Sequence, residues 1–173
     1  MSEHAMPAEA VLSILAALER EDVEYCLSGG WAVDALLGEQ TREHSDLDLW
    51  LPAAHLGRLF IAFARIGLDR IFPWPGDRPW NFVLHDGRGL RVDLHLYETL
   101  DGGTIHYGSA IEPFEFPAAA LSGSGSILGV AVRCELAEWT LRWHTGYPPR
   151  EVDRHDVARL VERFGFEVPE PFK

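Results

Sequence analysis

Lysine is almost missing from this chain, whose one example is Lys173. Positive charge in the interior therefore falls to arginine and histidine. Arginine's planar fork grips phosphate at two points, so the shortage does not exclude nucleotide binding. Basic residues as a class are also outnumbered, 15 lysines and arginines against 27 aspartates and glutamates, for a formal net charge of −12. That balance argues against a general nucleic-acid binder, which carries a basic patch. An acidic cleft suits a small cationic acceptor better. Cysteine is scarce too. Cys26 and Cys134 lie in apolar, strand-like stretches and read as reduced core residues, too few for a cysteine-rich zinc site or a disulfide framework.

Other absences narrow the field further. No apolar run approaches the ~20 residues of a membrane span, and MSEHAMPAEAV at the N-terminus lacks the basic start and apolar stretch of a secretory signal. A cytoplasmic protein without membrane partners is expected. No G-x-S-x-G sits between a strand and a helix, and His144 and His155 are too far apart for a zincin pair. There are no repeats, low-complexity segments or linkers. The 173 residues suit one domain over 1–173, with an α/β core in 1–134 and a helical segment in 135–173.

What is present is concentrated between Ser28 and Leu51, SGGWAVDALLGEQTREHSDLDLWL. The apolar run Val23–Leu27 before it reads as a strand, Gly29-Gly30 as a turn, and Trp31–Leu37 as a helix that Gly38 ends. In Asp46-Leu-Asp-Leu-Trp-Leu51 the period of two puts both carboxylates on one face and Leu47, Leu49 and Leu51 on the other. Residues two apart on a strand point the same way, so the two carboxylates can converge on a divalent cation. Glycines at a helix start let backbone N–H groups approach an anion, and the helix dipole favours negative charge there. Paired aspartates are hard oxygen ligands of the kind Mg²⁺ accepts together with phosphate oxygens. A phosphate cradle followed by a metal site is what an NTP·Mg²⁺ complex needs.

Elsewhere, Pro7–Asp22 reads as a helix with a Val11, Leu12, Leu15, Leu18 stripe. Pro52 opens another, to Ile66, burying Leu56, Leu59, Phe60 and Phe63, with Gly67 as its cap. Ile71–Trp80 is rich in proline and tryptophan and reads as irregular. Asn81–His85 and Leu90–Tyr97 flank Asp86-Gly-Arg-Gly89, a hairpin signal. The second of these strands carries a third carboxylate, Asp93, in phase with His95. Asp101–Gly125 reads as loops, with Gly123–Ser126 flexible. Ile127–Cys134 reads as a strand with a bulge or turn at Gly129, and Glu135–Tyr147 and Glu151–Phe164 as helices.

A pair of glycines, about fifteen residues, then a hydrophobic-flanked D-x-D resembles the DNA polymerase β-like nucleotidyltransferase superfamily. Within it, GGWAVDALLGEQTREHSDLDL and WHTGYPPREVDRHDVARL look like the small antibiotic nucleotidyltransferases: the short, single-domain lincosamide type, in one branch with the aminoglycoside adenylyltransferases. The resemblance implies an α+β fold, a small mixed sheet flanked by helices with further helices at the C-terminus. It also implies transfer of a nucleotide, from ATP or another NTP, to a hydroxyl of a small antibiotic, with pyrophosphate released.

In that reading Asp46 and Asp48 hold Mg²⁺, and Asp93 shares a second Mg²⁺ and acts as the base. Ser28, Gly29 and Gly30 contact phosphates. Arg42 and His44 either neutralise the triphosphate or lie on the surface. Trp80 and Asn81 line the acceptor site or belong to the core or sheet edge. His95 either supports Asp93 through a hydrogen bond or is a buried histidine. Tyr147, with Asp153 and Asp156, closes the nucleotide end, unless those aspartates only cap a helix. A homodimer is expected. Two other readings stay open: an aminoglycoside, another small molecule or a protein as acceptor, and a non-catalytic nucleotide-binding or antitoxin-like module on the same fold.

Overall fold

The computed structural model describes residues 5–73 and 75–173. The first four residues of the N-terminal stretch, and Trp74 within Ile71–Trp80, lie outside the described residues. The chain runs α1 (Ala8–Arg20), β1 (Cys26–Ser28), α2 (Gly29–Leu37), β2 (Leu47–Pro52), α3 (Leu56–Ile66), β3 (Arg70–Phe72), β4 (Asn81–His85) and β5 (Arg91–Leu100). It continues with β6 (Thr104–Gly108), β7 (Pro113–Pro117), β8 (Gly123–Ile127), β9 (Val130–Cys134), α4 (Ala137–Trp143) and α5 (Glu151–Phe164). Short 3₁₀ turns at Ala53–His55 and Ala118–Leu121 complete it.

The sheet order is β3-β4-β5-β2-β1-β9-β8, and β6 and β7 extend from the far end of β5. β2 pairs parallel with β5 and β1 parallel with β9, while the other pairs are antiparallel. The expected mixed sheet flanked by helices is therefore present. Its centre follows from the alternation of β2 and β5. Leu47, Leu49 and Leu51, with Val92, Leu94 and Leu96, are buried in one cluster with Val11, Ile14, Leu15 and Leu18 of α1 and Leu59 and Phe63 of α3. On the opposite face Trp50 joins a second cluster with Cys26, Ile105, Phe116 and Leu121. One strand pair thus anchors two apolar layers and sets Asp48 and Asp93 on the Trp50 face, at the edge of the second.

Several expectations are corrected. The first strand is only Cys26–Ser28, and Gly29-Gly30 form no separate turn but the first residues of α2. Pro52 ends β2 instead of opening a helix, and α3 begins four residues later; it buries Leu59 and Phe63 with Ala62, while Phe60 is 46% exposed. Arg70–Phe72 is a strand at the sheet edge, paired with β4. α4 stops at Trp143.

The largest correction is Asp101–Gly125, which holds β6, β7 and all but the end of β8. Gly123–Ser126 is not a flexible loop. A side chain at Gly125 would collide with the Ala35 carbonyl of α2, and one at Gly123 with the backbone of Glu135. The glycines let a strand lie against backbone, so this low-propensity run is chosen for closeness instead of flexibility. Leu128 and Gly129, both at positive φ, then make a two-residue hairpin turn.

Candidate active site

The in-register parallel pairing of β2 and β5 places Asp48 directly beside Asp93. Neighbouring strands lie about 4.8 Å apart, so the two carboxylates face one another across the gap. His95, two residues on, turns its Nε2 toward both, 3.7 Å from Asp48 Oδ1 and 3.9 Å from Asp93 Oδ1. One ligand atom from each of the three lies within 4.8 Å of the others. Asp46 stands just before β2, exposed at the rim. It is not one of that trio, although its charge acts on Asp93.

Like charges this close resist ionisation. Desolvation and the Asp48 charge push Asp46 upward. Burial, with the Asp48 and Asp46 charges, carries Asp93 up to about 6, against the pull of His95 and an Asn81 hydrogen bond. His95 moves upward as well: burial opposes its charge, but the hydrogen bond to Asp48 and the Asp93, Asp48 and Glu135 charges win.

Asn81 and Tyr107 hold this group from behind. Asn81 Nδ2 donates to Asp93 Oδ1 at 2.6 Å and to the Leu94 carbonyl at 3.2 Å. The Tyr107 hydroxyl lies 3.1 Å from His95 Nδ1, and the His95 ring packs on Trp50 with centroids 4.9 Å apart. Trp80 is half-buried against the main core.

On the other side of Asp48 stands the start of α2. Ser28 pairs with Asp48 across β1 and β2. A Cβ at Gly29, whose φ is +60°, would fall on the Asp48 carboxylate. A Cβ at Gly30 would collide with Arg42 Nη2 and the His44 ring. Glycine is required at both because charged groups press on the helix start. Ser28 Oγ donates its proton to Glu135 Oε1 at 2.6 Å. His44 is buried, with Nε2 2.5 Å from Asp34, and Arg42 pairs through two nitrogens with Asp156. Tyr147 is 41% exposed and donates to Asp153 Oδ1 at 3.0 Å. Asp153 also accepts the Arg150 N–H as part of a capping box at the start of α5.

The structure thus brings Asp48, Asp93, His95 and Asn81 together, and Gly29, Gly30, Arg42 and His44 beside them. Tyr147 and Asp153 contact each other at the head of α5, and no contact links them to the carboxylates among the described residues. Two members were missed. Glu135, read as the first residue of a helix, is fully buried and takes hydrogen bonds from Ser28, Trp50 and Thr140. An acid between Cys134 and Leu136, inside an apolar run, was the available signal. Tyr107 lay in a region read as loop, and nothing local marked it.

The family model for aminoglycoside-2''-adenylyltransferases matches residues 10–160. The chain belongs to that family. A lincosamide resistance protein of Staphylococcus haemolyticus is 27% identical over 160 residues, covering 92% of this chain and 98% of that protein. The crystal structure of the lincosamide antibiotic adenylyltransferase LnuA with lincomycin bound superposes with a TM-score of 0.79 at 27% identity, over 91% of this chain and 98% of LnuA. That of ANT(2'')-Ia in complex with adenylyl-2''-tobramycin gives 0.70 at 23% identity, over 91% and 89%, and speaks for the fold alone.

The polymerase β-like fold and an enzyme of the nucleotidyltransferase class, both expected from the sequence, hold for this family member. Family membership implies a nucleoside triphosphate co-substrate and a divalent metal. The residues fit such a metal: two hard carboxylates converge, and the Gly29 backbone leaves the space beside Asp48 that any side chain would fill. Among the described residues no helix is long and apolar enough to cross a membrane.

Proposed function

We propose that this family member transfers AMP from ATP to a hydroxyl of a small antibiotic, a lincosamide first, and releases pyrophosphate. The observation that carries the proposal is the Asp48–Asp93 pair, side by side across parallel strands and adjoining the Gly29-Gly30 start of α2. Full-length similarity to a lincosamide resistance protein and to LnuA supports the acceptor. The whole chain, 1–173, acts as one unit in this reading, because α5 reaches the catalytic side through Arg42. A cytoplasmic homodimer without nucleic-acid partners completes it.

Asp46, Asp48 and Asp93 would hold Mg²⁺, two ions in all. Bound there, Mg²⁺ supplies charge neutralisation for the triphosphate and makes the acceptor hydroxyl more acidic. The protein's own residues do the rest. The free N–H groups at the start of α2 bind phosphate oxygens, and Arg42 adds positive charge beside them. Ser28 serves differently from a phosphate donor, since its single hydroxyl proton is committed to Glu135.

Asp93 takes the proton of the acceptor hydroxyl while that oxygen attacks the α-phosphorus and the bond to the β-phosphate oxygen breaks. Pyrophosphate leaves with the bonding electrons, and no covalent enzyme intermediate is needed. Asn81 fixes one oxygen of Asp93 and so aims the other. Burial and the neighbouring carboxylate charges raise Asp93 to about 6, so its carboxylate is more basic than an ordinary aspartate's, and Mg²⁺ bound beside it would favour the ionised form that accepts a proton.

The test is pyrophosphate release from Mg²⁺-ATP across a panel of lincosamides, aminoglycosides and no acceptor, with Asp48→Asn and Asp93→Asn as controls. Release that needs a lincosamide and vanishes in both controls is expected. Release with aminoglycosides alone would move the acceptor. Bound ATP with silence across the panel would leave a non-catalytic nucleotide-binding module.

A further inference from the structure

Arginine side chains are long and mobile, and a fixed one has to be held. Arg42 is held by the C-terminal helix. Its Nε donates to Asp156 Oδ1 at 2.8 Å and its Nη2 to Asp156 Oδ2 at 2.7 Å, while Nη1 donates to the Glu43 carbonyl at 3.1 Å. A two-point fork of this kind fixes both the position and the plane of the guanidinium. The same guanidinium presses on the first turn of α2 so closely that Gly30 tolerates no Cβ.

Asp156 itself is built in. Its side chain is 2% exposed. On its other flank His144 Nε2 lies 3.6 Å from Asp156 Oδ2, and His144 Nδ1 donates to the Thr140 carbonyl at 2.8 Å. The next residue back, His155, adds a contact from Nε2 to Thr41 Oγ1 at 3.0 Å, and Thr41 is bonded twice to Asp34 of α2. α5 therefore braces the Thr41–His44 segment at two adjacent positions, and one of them ends on a cation at the helix start.

We infer that Asp156 is a positioning residue for the nucleotide: it sets the Arg42 guanidinium over Gly30, where the start of α2 meets the triphosphate. The inference rests on the nucleotidyl-transfer reading. Without Asp156 the guanidinium loses its fixed plane, and holding it against phosphate then costs the side-chain freedom that the fork had already removed. Chemistry at Asp48 and Asp93 is untouched, so the effect falls on nucleotide affinity and leaves the acceptor's KM and kcat near wild type.

The experiment is calorimetric titration of the full chain with Mg²⁺ and a non-hydrolysable ATP analogue, together with steady-state kinetics. Asp156→Asn is expected to weaken binding about tenfold, raising the nucleotide KM in parallel. In an Arg42→Gln background the same change is expected to add almost nothing, because both act through one contact. A merely structural role would lower the melting temperature without this selective, non-additive loss. Should Asp156→Asn fail to fold, Arg42→Lys keeps α5 and its carboxylate intact and is expected to show the same loss, since an ammonium cannot form the fork. Wild-type affinity in Arg42→Lys, unchanged or tighter binding in Asp156→Asn, or additivity with Arg42→Gln would overturn the inference. A wild-type protein that binds no Mg²⁺-nucleotide would instead sink the nucleotidyl-transfer reading, and the inference with it.

Discussion

Glu135 offers the sharpest quantitative test. It is fully buried, and its carboxylate accepts from Ser28 Oγ at 2.6 Å, Trp50 Nε1 at 2.5 Å and Thr140 Oγ1 at 3.2 Å. All three donors are neutral. Burial pushes the carboxyl up to about 7, from an ordinary 4.5, even with these hydrogen bonds pulling it down. The sign follows directly. Below 4.5 the group is protonated in both folded and unfolded chains and costs nothing. As pH rises through the window between 4.5 and about 7, the unfolded chain ionises first and stability falls. Above about 7 the full cost is present. At about 1.4 kcal/mol per pH unit, that window corresponds to about 3 kcal/mol.

Glu135→Gln removes this charge and keeps the shape. The amide oxygen can still accept from Ser28 and Trp50. Thr140, whose hydroxyl also lies 3.2 Å from the Leu136 carbonyl, can turn to donate there and accept from the new amide. The variant should therefore match wild type near pH 4.5 and exceed it by about 3 kcal/mol at pH 8, or roughly 10 °C in melting temperature for a chain of this size. Urea unfolding of both proteins in metal-free buffer, from pH 4.5 to 8, measures the difference. Parallel stability curves across that range would refute the assignment of a buried, charge-penalised carboxylate.

Two other expectations follow from the packing and the site. Gly125→Ala puts a methyl group into the Ala35 backbone and should destabilise the chain by about 2 kcal/mol, read as a lower urea midpoint with unchanged slope. Adding millimolar Mg²⁺ should raise the melting temperature of wild type by binding the folded form only. Asp48→Asn should abolish that gain, and a full Mg²⁺ response in Asp48→Asn would remove Asp48 from the ligand set.

The legible parts of this chain are those where local pattern and chemistry coincide. In β2 the alternation that buries Leu47, Leu49 and Leu51 also turns Asp48 the other way, and the same rule in β5 delivers Asp93 and His95, while Asp46 lies just outside the strand expected to carry it. The helix of residues 151–164 is readable at its C-terminal end because Gly165 stops it, whereas its buried face carries Asp153 and Asp156 beside Val157 and Leu160. What failed depended on partners distant in sequence. β6 and β7 contain Gly108 and two prolines, poor strand formers, and are strands because β5 runs on past Tyr97 to Leu100 and offers them an edge. β8 is a strand because glycine alone fits beneath α2. Phe60 reads as core because it is apolar and four residues on from Leu56, whereas α3 buries Leu59, Ala62 and Phe63. Glu135, Tyr107 and Asp156 owe their roles to contacts across 107, 12 and 114 positions, which no local window contains.

The same contrast explains why the site can be recognised from the protein's own side chains. Like charges directly opposite on neighbouring strands destabilise a sheet, and here Asp48 faces Asp93 in register with Asp46 close by. A fold selected for stability alone would place apolar or oppositely charged side chains at those positions, as it does one residue away at Leu47 and Val92. The cost is instead concentrated in one spot, where His95 offsets part of it and Asn81 aims one of the carboxylates. Burial first, and the neighbouring carboxylate charges after it, raise Asp46 and Asp93. Repulsion kept at the open end of a well-packed sheet, next to a helix start stripped of side chains, is the imprint of a cation and a phosphate that the rest of the chain is shaped to receive.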